Sequence, residues 1–168
     1  MQDPLTLGTL YDSFRRTIAR WGDRPAYGVP PMPGRAYHPE GKEYTWNETA
    51  AGVERMRARY AAAGYGLGHR VAILFDQRPE FFFHYYALNS LGCSVVPINP
   101  DYRRDEIRYV VEHSEATLAV AIDSRLEDMQ AVCEGLQPKV SVVSFERFPE
   151  TVSGPSVPVR AGKPDGTT

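Results

Sequence analysis

Cysteine, long apolar runs and an excess of either charge are all scarce in this sequence. Its 168 residues include two cysteines, Cys93 and Cys133, which lie too far apart for a CxxC redox or zinc motif. No apolar stretch approaches the roughly 20 residues that a membrane-spanning helix requires. Nineteen Lys and Arg residues against 21 Asp and Glu residues give a net charge of −2, so no overall positive field attracts nucleic acid. The start, Met1-Gln2-Asp3-Pro4, lacks the basic and apolar regions of a secretion signal, so we expect a cytoplasmic protein.

Several signatures of catalysis and metal binding are also missing. The chain has neither the GxxxxGK(S/T) phosphate loop nor the GxSxG turn of the serine hydrolases. Its four histidines show no HExxH or HxxxH spacing that would hold a metal: His38, His69, His84 and His113. The glycines at 64, 66 and 68 follow a helical segment and precede a strand, which is the reverse of the order in a dinucleotide loop. We therefore interpret them as a helix end and predict no metal site.

The order of helix and strand signals predicts an α/β fold. A helical stripe covers residues 10–21, and two short strands, 25–28 and 42–45, flank a proline-rich loop. From Val71 to Val143, apolar strand segments alternate with helical ones. This alternation is typical of a mostly parallel sheet with helices on both faces.

The last 20 residues differ in composition from the rest of the chain. Residues 149–168 are rich in Pro, Gly, Ser and Thr and show no hydrophobic period, so we predict a linker or disordered tail after an α/β unit at 1–148. Just before this boundary, Asp123 is predicted to cap the helix that precedes the last strand.

Two arginines follow the strand that ends near Pro97. Arg103 and Arg104 lie where this strand gives way to a helix, on the carboxyl side of the sheet, which is where open α/β sheets place their ligands. Two guanidiniums beside a helix N-terminus can hold a phosphate. In the alternative, both are solvated surface residues and Arg104 pairs with Glu106 or with acidic neighbours of Arg108.

Five segments in this order resemble the N-terminal part of the adenylate-forming enzymes, specifically the AMP-forming acyl-CoA synthetases. They extend over about residues 5–145 and read Tyr44-Thr45-Trp46-x-Glu48, Gly68-His69-Arg70-Val71-Ala72-Ile73, Arg78-Pro79-Glu80-Phe81, Leu91-Gly92-Cys93-Ser94-Val95-Val96-Pro97-Ile98-Asn99-Pro100 and Glu106-Ile107-Arg108-Tyr109-Val110-Val111-Glu112-His113-Ser114.

The resemblance implies a parent enzyme that joins a carboxylic acid, such as a fatty acid, to ATP and passes the acyl group to coenzyme A, with Mg²⁺ on the phosphates. It places the phosphate loop, acyl pocket and catalytic lysine downstream, so this chain would hold no catalytic residue, bind no cofactor and be inactive alone. Gly166-Thr167-Thr168 resembles part of that phosphate loop but follows no apolar strand. In some relatives a basic residue after the Asn-Pro turn contacts the 3′-phosphate of coenzyme A, and Arg103 is the nearest match here.

A second hypothesis comes from a different class. The chain could be a self-sufficient flavodoxin-like binding or interaction module. The missing glycine-rich turn after Val71–Phe75 and the long tail count against this alternative. If the chain is instead a fragment, its sheet has an unpaired edge, and self-association is expected.

Overall fold

The computed structural model describes residues 8–158. A short 3₁₀ turn, Asp123–Arg125, precedes the last helix. The helices and strands are α1 (Leu10–Trp21), β1 (Pro25–Val29), β2 (Lys42–Thr45), α2 (Trp46–Ala62), β3 (Arg70–Leu74), α3 (Phe81–Ser90), β4 (Ser94–Ile98), α4 (Arg104–Ser114), β5 (Leu118–Ala121), α5 (Leu126–Cys133) and β6 (Ser141–Ser144).

Side-chain caps fix where the first two long helices begin. The Thr45 hydroxyl accepts a hydrogen bond from the Glu48 amide at 3.1 Å, and the Glu48 carboxylate accepts one from the Thr45 amide at 2.8 Å, so the two residues form a capping box. The same reciprocal pair, Thr9 and Asp12, starts α1. Helix α2 ends before Gly64, whose φ of +86° suits glycine and confirms the interpretation as a helix end.

The main sheet is parallel and has the strand order β4-β3-β5-β6, while β1 and β2 form a separate antiparallel hairpin. The chain moves from β3 to β4 in one direction and then crosses back to β5 on the other side of β3. Right-handed crossovers therefore place α3 on one face and α4 and α5 on the other. The observed contacts agree, since α3 packs with α1 and α2, and α4 packs with α5. The predicted α/β fold is confirmed.

The two central strands form the middle of the core. Residues 71–74 of β3 and 118–121 of β5 have no exposed surface, as expected for strands covered on both faces. Helix α3 packs closely on α2 at Gly52, where an added Cβ would lie 2.6 Å from the Phe83 ring. Helix α3, which is apolar nearly all round, thus lies between α2 and the sheet.

Asp123 does not cap the helix, so that prediction is wrong. Helix α5 begins at Leu126 after the 3₁₀ turn, and its N-cap residue, Arg125, makes no side-chain cap. The Asp123 carboxylate instead accepts the Ser144 hydroxyl at 2.6 Å. Ser144 lies at the end of β6, 21 residues further along the chain, so no local sequence pattern reveals this partner.

Residues 149–158 have no helix or strand but contact the α/β unit. The Tyr65 hydroxyl donates to the Ser153 carbonyl at 3.0 Å, and the Ser156 hydroxyl donates to the Lys139 carbonyl at 2.8 Å. The rest of the predicted tail, including Gly166-Thr167-Thr168, lies outside the described residues. The boundary after residue 148 stays a prediction.

Candidate functional site

The carboxyl ends of β3 and β5 mark the point where the strand order reverses, which is the usual ligand crevice of such sheets. Here the crevice contains an ion cluster around Arg78, whose side chain is 9% exposed. Its guanidinium forms a bidentate pair with Asp76 and lies 3.0 Å from Glu146 Oε1. Burial opposes the charge, but the hydrogen bonds and negative charge of Asp76, aided by Glu146, raise the pKa of Arg78 above its ordinary value. No glycine-rich phosphate turn follows β3.

A second ion cluster lies beside the first, between β5 and β6. Asp123 accepts the Ser144 hydroxyl at 2.6 Å and pairs with the Arg147 guanidinium at 3.1 Å. The Ser144 hydrogen bond, followed by that from Arg147, lowers the pKa of the Asp123 carboxyl. Asp123 thus joins the end of β5 to the residues at the end of β6, and its charge is balanced by that of Arg147.

The predicted phosphate residues follow the neighbouring strand β4. Arg103 is the exposed N-cap residue of α4, and its amide donates to Glu106 Oε2 at 2.8 Å. None of the ion pairs among residues 8–158 involves the Arg103 guanidinium. Arg104 differs, since its Nε donates to Asp128 Oδ1 at 2.6 Å. The two arginines are therefore adjacent at a helix start, but only Arg104 is engaged in an ion pair.

Asp128 is not the partner that the sequence suggested for Arg104. Glu106 instead accepts the backbone amide of Arg103, while Asp128 reaches across from α5. The Arg104 hydrogen bond, followed by that from Arg125, lowers the pKa of the Asp128 carboxyl. Sequence reasoning also missed Arg125, whose guanidinium contacts Asp128 and two carbonyls of the β4–α4 connection. Long-range contacts of this kind leave no spacing signal.

A cavity of about 410 Å³ opens beside the Arg78 cluster, with walls that include Tyr44, Glu80 and His84. Glu80 Oε1 accepts the Tyr44 hydroxyl at 2.7 Å and lies 2.5 Å from His38 Nε2. The other Glu80 oxygen is buried and has no hydrogen-bond partner among the described residues. These contacts anchor the proline-rich loop and β2 to the start of α3.

His84 and the cysteines are poor candidates for proton transfer or nucleophilic attack. Burial lowers the pKa of His84 to about 3, and the Tyr60 hydroxyl lies 2.8 Å from Nδ1. The neutral ring and the Tyr60 hydroxyl therefore share one hydrogen bond. Burial raises the pKa of both Cys93 and Cys133 to about 11, so both thiols stay protonated near neutral pH.

Within residues 8–158, no group of three or more His, Cys, Asp or Glu side chains is arranged to hold a metal ion. In the same part of the chain, no helix combines the length and the apolar character needed to cross a membrane. The described residues therefore supply an exposed guanidinium at Arg103 and two arginine–carboxylate clusters, but no group of side chains arranged to hold a metal ion.

Comparison with protein families gives a match over most of the chain. The sequence model of a family described as AMP-binding enzyme matches residues 14–164. A crotonobetaine/carnitine–CoA ligase of Proteus mirabilis is 29% identical over 83 residues, which are 49% of this chain and 16% of that protein. The ligase of the same name from Escherichia coli O9:H4 is 31% identical over 77 residues, 46% of this chain and 15% of that protein. The matched region thus spans about a sixth of these curated relatives.

Solved structures show the same fold. A fatty acyl CoA synthetase of Mycobacterium tuberculosis superposes with a TM-score of 0.70 at 19% identity, covering 82% of this chain and 26% of that one. The N-terminal subdomain of Klebsiella oxytoca NpsA gives a TM-score of 0.63 at 21% identity, covering 82% of this chain and 32% of that one. At these identities, the likeness establishes the arrangement of helices and strands alone.

Proposed function

Because this chain belongs to the AMP-binding enzyme family, we propose that it forms the N-terminal part of a longer AMP-forming acyl-CoA ligase, here called the parent enzyme. The family match over residues 14–164 is the observation that carries the proposal. The names of the curated relatives, which are CoA ligases, support the choice of coenzyme A as the acyl acceptor. The alternative, a self-sufficient flavodoxin-like module, is disfavoured by the cluster of Arg78, Asp76 and Glu146 at the crevice where such a module would bind its ligand.

The proposed reaction has two steps. The oxygen of a carboxylic acid, such as a fatty acid, first attacks the α-phosphorus of ATP, which gives an acyl-adenylate and releases pyrophosphate. The thiol of coenzyme A then attacks the acyl carbon and expels AMP. An acyl thioester forms, and the thiol proton is transferred to a base. Mg²⁺ supplied with ATP offsets phosphate charge in the first step. We propose a cytoplasmic location, where ATP and coenzyme A are available.

This chain contributes to the second step rather than the first. The resemblance assigns the phosphate loop and the catalytic lysine to the region downstream of this chain, so we assign adenylation to the rest of the parent enzyme. The 168-residue chain is expected to be inactive and to bind no cofactor. Of the two predicted arginines, Arg103 is proposed as the residue at the coenzyme A 3′-phosphate, whereas Arg104 is paired with Asp128. Arg103 is the exposed N-cap residue of α4, and its guanidinium can bind a phosphate dianion through charge-assisted hydrogen bonds.

The parent enzyme with Arg103→Ala tests this assignment. The apparent KM for coenzyme A is expected to rise about ten- to hundredfold, since a lost charge-assisted hydrogen bond is worth about 1.5 to 3 kcal/mol. The rate of adenylation, measured without the thiol, is expected not to change. Arg15→Ala, which removes an exposed arginine from α1, is the matched control for loss of surface charge.

Dephospho-coenzyme A separates a phosphate contact from a general defect. With this thiol, wild type and Arg103→Ala are expected to have similar KM values, because the group that Arg103 would bind is missing. Equal losses with both thiols would show that Arg103 supports the fold or another part of the ligand, and the phosphate assignment would then be wrong.

A further inference from the structure

Arg125 connects the start of α5 to the loop that carries Arg103. Its Nε donates to Asp128 Oδ2 at 2.9 Å, and one Nη donates to the Tyr102 carbonyl at 2.7 Å. The other Nη donates to the Pro100 carbonyl. The Arg125 side chain is 19% exposed. Its hydrogen bonds to Asp128 and to the Pro100 carbonyl are partly buried, whereas that to the Tyr102 carbonyl is exposed. One planar guanidinium thus holds three acceptors on two different elements.

The two carbonyls belong to the turn between β4 and α4, on either side of Asp101. The turn also has internal hydrogen bonds, from the Asp101 amide to Asn99 Oδ1 at 3.0 Å and from the Tyr102 amide to the Asn99 carbonyl at 3.1 Å. Internal bonds fix the shape of the turn, whereas Arg125 fixes its position against α5. Since Arg103 follows Tyr102 directly, the direction in which its backbone leaves the turn depends on this attachment.

Asp128 gives the two arginines at the helix start different roles. One of its oxygens accepts from Arg125 and the other from Arg104, so a single carboxylate bridges both guanidiniums. This bridge holds Arg104 against α5. Arg103 is therefore the guanidinium at this turn that can meet a phosphate without first breaking an ion pair.

We infer that Arg125 is a positioning residue for the recognition of a phosphate monoester by Arg103, and that Asp128 withholds Arg104 from that role. The inference rests on the proposed function, in which the monoester is the 3′-phosphate of coenzyme A. Arginine suits this position because its planar fork reaches three acceptors at once, whereas a lysine ammonium is a compact charge without a fixed fork.

Hydrogen exchange of the 168-residue chain tests the structural half of the inference without any substrate. In Arg125→Gln, the amides of Asp101 and Tyr102 are expected to exchange at least tenfold faster than in wild type, while amides in β3 keep their protection. Arg125→Lys is expected to give a smaller acceleration. Unchanged exchange at the turn in both variants would overturn the inference, whatever the parent enzyme does.

Thiol discrimination by the parent enzyme tests the functional half. Arg125→Gln is expected to raise the KM for coenzyme A at least fivefold, with little change for dephospho-coenzyme A and none in adenylation. The double variant Arg103→Ala with Arg125→Gln should have the same KM for coenzyme A as Arg103→Ala alone, because both changes remove the same contact. Arg104→Gln is expected to keep the wild-type preference for coenzyme A.

The failures of the two proposals are distinguishable. If the parent enzyme makes thioesters and Arg103→Ala loses the discrimination while Arg125→Gln retains it, the role of Arg125 is refuted and the proposed function stands. If the parent enzyme makes no thioester although the turn exchanges faster in Arg125→Gln, the proposed function fails and the phosphate role of this site fails with it. If Arg104→Gln abolishes the discrimination, the role given to Asp128 is wrong.

Discussion

Stability is expected to depend on pH through the buried ring of His84. The pKa of this group is about 3 in the folded chain, because burial disfavours its charged form, against an ordinary value of 6.5. Between these values the unfolded chain binds a proton that the folded chain does not, so folding stability falls as the pH falls. The loss is about 1.4 kcal/mol per pH unit within this window, and moving from pH 7 to pH 5 therefore costs about 2 kcal/mol.

Urea unfolding at pH 7 and pH 5 measures this cost when wild type is compared with His84→Asn. The Asn amide oxygen can accept the hydrogen bond from Tyr60 but does not titrate. Protonation of surface carboxylates is common to both proteins, so the extra loss in wild type, about 2 kcal/mol, belongs to His84.

A loss of stability of the same size in both proteins would refute the reasoning. If His84→Asn fails to fold, the ring can be followed directly by NMR in wild type. Its carbon shifts should stay those of a neutral imidazole from pH 7 to pH 4, and a titration near pH 6.5 would contradict the account.

Two further predictions concern packing and assembly. Gly52→Ala is expected to destabilise the chain by up to about 2 kcal/mol in thermal unfolding, because overpacking against Phe83 costs about 1 to 3 kcal/mol and the gain in helix propensity is about 1 kcal/mol. In a Phe83→Leu background the same change should become neutral or stabilising, and an unchanged penalty there would contradict the steric explanation. The chain is also expected to self-associate at high concentration through the open edge of β6, giving a mass by light scattering above 18.8 kDa. The amides of Ser141 and Phe145 donate to carbonyls on the β5 side, so the amide of Val142 points away from β5. Val142→Pro removes this outward amide and should restore the monomer. A wild-type chain that stays monomeric at high concentration would refute this prediction.

Local patterns were enough to predict most of the elements. The predicted helix at residues 10–21 and the predicted strand at 42–45 agree with the observed bounds of α1 and β2. The alternation of strand and helix predicted a mostly parallel sheet, because short apolar strands covered on both faces carry a strong compositional signal. Helix and strand positions depend on residues that are close together in the sequence, so local patterns are enough to predict them.

The site was only partly predictable. The position of Arg103 and Arg104 at a helix start after β4 followed from the chain order, but the partner of Arg104 did not. Asp128 lies on a different helix, and the attachment of the turn by Arg125 joins backbone carbonyls that have no sequence signature. Contacts between elements depend on how the helices pack across the sheet, which no periodicity in one segment determines.

Carboxylate-dependent exchange of labelled pyrophosphate into ATP tests the central claim most directly, since it reports the adenylation step and requires no thiol. Exchange is expected from the parent enzyme with at least one member of a panel of aliphatic and aromatic carboxylic acids, and from the 168-residue chain with none of them. A folded parent enzyme that exchanges with no acid, or robust exchange that scales with the concentration of the 168-residue chain, would contradict the claim.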